Sequence, residues 1–104
     1  MADNATSWGT KTDQKSRARQ AKPPLFKVLM HNDDYTTMEF VVKVLETVFR
    51  RSSVEANRIM INVHMRGVGV CGTYPFEVAE TKAVRVHSLA REEGFPLKCS
   101  LEEA

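Results

Sequence analysis

Along this chain the apolar positions switch between two periods, and the switches mark the elements. Leu25 to Met30 is an apolar run of strand length that ends in the polar stretch His31-Asn32-Asp33-Asp34-Tyr35. From Met38 the period is helical: Met38, Val41, Val42, Leu45, Val48 and Phe49 share one side, and Glu39, Lys43, Glu46 and Arg50 share the other. Thr36-x-x-Glu39 has capping-box spacing, so this helix is expected to start at Thr36. Ser52-x-x-Glu55 repeats the spacing and opens a second helix, with Ala56, Ile59, Met60 and Val63 inward and Gly67 just past its end. Val68 to Gly72 is β-branched and punctuated by glycine, as in a strand that another backbone approaches closely. Pro75 suits the first turn of a third helix, which Gly94 and Pro96 terminate. Its inner face, Ala79, Ala83, Val86 and Ala90, is small enough to lie flat on a sheet. Leu97, Cys99 and Leu101 then alternate with Lys98, Ser100 and Glu102, a half-buried strand. The pattern predicts an α+β fold, a two-layer sandwich of a three-stranded antiparallel sheet packed against three helices.

Residues 1–22 do not share this pattern. They are rich in Ala, Ser, Thr, Asn, Gln and Lys, with Trp8 the one large apolar group, and are expected to form a flexible N-terminal extension. Pro23-Pro24 closes it, leaving residues 23–104 as the folded domain. A chain of 104 residues has room for one modest core without disulfides. No apolar run approaches the roughly 20 residues of a membrane span, and the N-terminus has no signal-like apolar block, so a cytoplasmic location is expected. Five Lys or Arg against two Asp give residues 1–22 a charge of +3, while ten basic and eleven acidic side chains give the remainder −1. So sparse a basic stretch, without aromatic stacking groups, argues against nucleic acid. Cys71 and Cys99 lie outside any C-x-x-C spacing and read as buried thiols in strands rather than a disulfide or zinc pair.

Two places gather polar groups beside apolar ones. One is the loop Asn32-Asp33-Asp34 with Thr36 and Met38; the other is the second helix, where Met60, Val63 and His64 stand at i, i+3 and i+4. If the first two helices pack as a hairpin, Met38 and Val41 meet Met60 and Val63, with Asn32, Asp33 and His64 at the rim. Each part has a plainer reading. Asn and Asp before a helix usually cap it or make a turn, a lone histidine is often a surface residue, and methionines often fill cores. Glu77 and Lys82 are by default a solvated face. His31, Asp33, Asp34 and His64 could instead ligate a metal in a small hydrolase, although no His-x-His or His-Glu-x-x-His spacing is present. No nucleophile has a neighbouring base, and Gly67-x-Gly69-x-x-Gly72 follows a helix, which excludes a phosphate loop.

From about Pro24 onward the chain resembles the ClpS family, adaptors of the bacterial Clp protease system. The resemblance is carried by Asn32-Asp-Asp-Tyr-Thr-x-Met-Glu-Phe40, Met60-x-x-Val-His64, Val70-Cys-Gly72, Glu77-Val-Ala-Glu-Thr-Lys82 and Pro96-Leu97, in that order. It departs from the family pattern at Thr37, which is usually proline; the change is expected to cost a little rigidity and no ligand contact. The resemblance implies an adaptor, not an enzyme, that binds proteins beginning with Leu, Phe, Tyr or Trp and delivers them to the unfoldase ClpA for degradation by ClpP. It implies that Asn32, Asp33 and His64 recognise the free α-amino group, and that Asp34, Thr36, Met38, Val41, Met60, Val63 and Leu97 line or shape the side-chain pocket. Glu77 and Lys82 would face the N-terminal domain of ClpA, and the N-terminal extension would act in delivery. No cofactor is implied, and the adaptor would be a monomer. A ClpA regulator without a substrate pocket is the remaining alternative.

Elementary chemistry agrees with this. An ammonium group has three donors and needs acceptors and negative potential, which an amide oxygen, a neutral imidazole nitrogen and a carboxylate supply. Of the two carboxylates, Asp33 is the expected counter-charge and Asp34 the expected holder of the loop's shape. Burying Leu or Phe contributes roughly 1.5–3 kcal/mol and each charge-assisted bond about as much, against association costs of at least about 4, so affinity should be weak to micromolar.

Overall fold

Val28 and Met30, alternate residues of strand β1 (Leu25–His31), are both fully buried, while Lys27 and Leu29 reach the opposite face, as period two requires. The computed structural model describes residues 22–104, so the expected flexible extension lies, apart from Lys22, outside the described residues. Helices α1 (Met38–Thr47) and α2 (Ser53–Arg66) follow β1, then strand β2 (Val68–Pro75), helix α3 (Phe76–Glu93) and strand β3 (Lys98–Glu103). β1 is the central strand of an open sheet ordered β2-β1-β3 and is antiparallel to both neighbours. This is the expected α+β arrangement.

The inner face expected for α3 is present: Ala79, Ala83, Val86 and Ala90 are buried where the helix crosses the three strands. His87 Nε2 accepts the Cys99 N–H at 2.9 Å and ties α3 to β3. Pro75 ends β2 and caps α3 rather than standing in its first turn. Cys71 and Cys99 are free, buried thiols, as expected of strand residues. Cys71 is the extra residue of a β-bulge, since Val28 faces Gly72 and Leu29 faces Val70. The neighbouring Cys99 thiol, together with burial, pushes the Cys71 thiol up, so it stays protonated and unreactive.

Helix α2 has both of its expected ends. Glu55 N–H donates to Ser52 Oγ at 3.2 Å and Ser52 N–H to Glu55 Oε1 at 3.4 Å, and Gly67 leaves the helix at φ 86°. The close approach expected at β2 is at Gly69, where a Cβ would lie 2.7 Å from Val63 Cγ2 and 3.5 Å from the Ile59 carbonyl of α2. Only glycine lets α2 rest this near the strand.

Helix α1 differs from its expected start. Its cap is Thr37, whose hydroxyl accepts the Phe40 N–H at 3.1 Å; Thr36 instead donates its hydroxyl to Asp33 Oδ2 at 2.8 Å. Phe40 stands where a capping box needs a carboxylate, so no box closes. The buried side is also shifted. Val41, Leu45, Val48 and Phe49 are inside as expected and Val44 joins them, whereas Val42 is half-buried and Met38 is 51% exposed.

Candidate functional site

Where β1 ends, the Asn32 N–H donates to the Gly67 carbonyl at 2.9 Å, joining the start of the loop to the end of α2. The loop is then folded by one carboxylate. Asp33 Oδ1 accepts the N–H groups of Tyr35 at 2.8 Å and Thr36 at 2.7 Å, while Oδ2 accepts the Thr36 hydroxyl. Burial alone would raise the pKa of Asp33, but the three hydrogen bonds from Thr36 and Tyr35 together outweigh it and hold the carboxyl below its ordinary value. The expected division of labour is therefore corrected: Asp33, not the exposed Asp34, shapes the loop. A carboxylate has about four lone-pair positions, so Asp33 keeps acceptor capacity for a further donor.

The loop, the first turns of α1 and one face of α2 enclose a cavity of about 410 Å³. Asn32, Asp33, Asp34, Thr36 and His64 contribute its polar side, and Met38, Val41, Met60 and Val63 its apolar side. Two aspartates lie among its lining residues and no Lys or Arg does, so the local potential favours a cation. The chemistry available is that of holding a cationic head with an apolar group attached.

Tyr35 and Thr37 also line the cavity, and neither was anticipated. Their place within the same nine-residue motif, Asn32 to Phe40, is the only signal that could have found them. Thr37 changes the meaning of the departure from the family pattern. Its φ of −75° is one that proline would fix, and its hydroxyl supplies a cap that proline lacks, so one device replaces another. Leu97 is not brought to the cavity lining; it is 4% exposed and packs in the core ahead of β3.

The metal-centre alternative has no ligand set. His31 Nε2 pairs with Ser100 Oγ on β3 at 2.7 Å and does not line the cavity. Among the described residues, no group of three His, Cys, Asp or Glu is placed to hold a metal ion.

Glu77 is exposed in the first turn of α3. Lys82 is not a solvated charge: its Nζ donates to the Val48 carbonyl at the end of α1 at 2.8 Å and lies 5.2 Å from the Tyr74 ring centre and 6.0 Å from that of Phe49. Replacing it by methionine, which keeps the apolar stem, should lower stability by about 1–2 kcal/mol, read from urea unfolding. Unchanged stability would show that Lys82 serves contacts outside the domain alone.

Fold and cavity together define a small α+β binding domain. A family model described as ATP-dependent Clp protease adaptor protein ClpS matches residues 21–100. The ATP-dependent Clp protease adapter protein ClpS of Desulfatibacillum aliphaticivorans is 68% identical over 81 residues, 78% of each chain. That of Desulforapulum autotrophicum is 52% identical over 103 residues, 99% of each chain. The solved structure of Agrobacterium tumefaciens ClpS2 bound to L-phenylalaninamide superposes with a TM-score of 0.77 at 42% identity, covering 80% of this chain and all of that one. The chain belongs to the ClpS family of Clp protease adaptors. It is accordingly an adaptor and not an enzyme, with a Clp protease as partner and proteins as substrates. Among the described residues no helix is long and apolar enough to cross a membrane.

Proposed function

We propose that the cavity receives the first residue of a substrate protein and that the adaptor hands that protein to the ClpA unfoldase for degradation by ClpAP. The observation that carries this reading is the meeting, in one cavity, of an acidic lip and an apolar wall. The α-ammonium would bond to Asn32, Asp33 and a neutral His64; a protonated His64 would set a second positive charge against it. The first side chain would lie against Met38, Val41, Met60 and Val63, with Asp34 and Thr36 lining the mouth. The ligand of the Agrobacterium relative supports this chemistry, since phenylalaninamide has a free amino group, an apolar side chain and an amide in place of the next peptide bond. Delivery would use the α3 surface, with Glu77 as its exposed charge and Lys82 holding α3 to α1 beneath it, and would engage the extension of residues 1–22.

The test is a fluorescence titration with peptides that differ only in their first residue. Leu, Phe, Tyr and Trp should bind in the micromolar range. Val and Ile should bind at least about tenfold more weakly, because a branch at Cβ meets Met38 beside the peptide backbone. Equal binding of all six, or of none, would end the proposal.

A further inference from the structure

A second groove, of about 480 Å³, lies between α1 and α2 directly behind the cavity, and the residues that line both are Met38 and Met60. These two side chains thus form a wall shared by the two spaces. Val42 stands one turn after Met38 on α1, and Asn57 three residues before Met60 on α2, so both line the far side of the wall. Methionine is unbranched with three rotatable bonds, and Met38 is 51% exposed at the first position of α1, where little packing holds it.

A site that admits both Leu and Trp has a volume problem. In a cavity with fixed walls, one of the two would leave a void or the other would be overpacked, and either costs affinity. We propose that Met38 and Met60 are a movable partition, that the groove behind them is its reserve volume, and that Val42 and Asn57 set how far the partition retreats. A small first residue would leave the thioethers forward; an indole would push them back into the groove. This inference rests on the proposed degron-binding reading and adds Val42 and Asn57 as positioning residues for its size range.

The test fills the groove from behind. Val42→Phe places a ring at the half-buried floor, and Asn57→Phe does so from an exposed helical position where folding is not at stake. Each full-length variant is titrated with a Leu-initial and a Trp-initial peptide. The Trp peptide should lose about tenfold in affinity relative to the Leu peptide, whose own affinity stays within about twofold of the unsubstituted protein. If Asn57→Phe leaves the Trp-to-Leu ratio unchanged, whether both affinities hold or fall together, the groove is not a reserve and the inference is overturned. Absence of binding of either peptide to the unsubstituted protein would instead remove the degron reading, and the partition with it.

Discussion

Acetylating the α-amino group of a Leu-initial peptide should abolish its binding. The acetyl cap removes the positive charge, leaves one N–H donor where there were three, and turns a carbonyl oxygen toward the carboxylates of Asp33 and Asp34 at the cavity's lip. Each charge-assisted hydrogen bond contributes about 1.5–3 kcal/mol. Losing two of them weakens binding by about two to four orders of magnitude, before any repulsion between oxygens is added. The proposed apolar contacts with Met38, Val41, Met60 and Val63 would be untouched by the cap, so the experiment isolates the polar half of the cavity. A paired titration of free and acetylated peptide by fluorescence anisotropy reads the result. Equal affinity for the two would mean that the cavity selects side chains alone.

Substitutions at Asp33 should separate its two tasks. Asp33→Ala removes the acceptors of two backbone N–H groups and one hydroxyl at once. Domain stability should fall by about 1–3 kcal/mol, at the modest end to the extent that the freed N–H groups reach water, and peptide binding should be lost with the shape of the loop. Asp33→Asn keeps an oxygen for both N–H groups, and its amide can donate to the Thr36 hydroxyl, which turns to accept. Its stability should change by less than about 1 kcal/mol, while the missing counter-charge lowers peptide affinity about tenfold. An asparagine variant with undiminished affinity would make Asp33 a loop former only. Acid should act through the same group. Because the carboxyl is held below its ordinary value in the fold, its contribution is complete above the ordinary carboxylate pKa of about 3.9 and is lost as pH falls through the lowered value. A stability-versus-pH curve should thus lose, in the asparagine variant, part of the acid-side decline that the unsubstituted protein shows below about pH 4.

The parts of this structure legible in the sequence are those fixed by neighbours along the chain. Both ends of α2 follow from local chemistry, a capping box and a left-handed glycine. The inner stripe of α3 follows from helical period, and the i, i+3, i+4 spacing of Met60, Val63 and His64 is enough to bring three side chains to one cavity. What the chain hid depends on distant contacts. Thr36 has the capping-box spacing along the chain, and the cap falls to Thr37 only because Asp33 engages the Thr36 hydroxyl. Spacing along the chain likewise does not tell which of Asp33 and Asp34 shapes the loop, which is oriented by a bond from Asn32 to Gly67, 35 residues away. The alternation around Leu97 predicts that it is buried and not what it is buried against. Lys82 looks solvated because Val48, Phe49 and Tyr74 come to it only in the folded chain.

The bond between Asn32 and Gly67 bears on how a bound chain lets go. It continues the β1–β2 ladder by one rung beyond the pair His31–Val68, so the loop with Asn32 and the end of α2 with His64 are bolted to the same frame. Under the proposed function, tension on a chain seated between them would run into that ladder, where many bonds share the load, while the ligand itself would be gripped by only a few. The joint that would yield first is the one at the ligand. A motor pulling on the bound protein would draw it out of closed jaws, and the jaws would keep their shape for the next one.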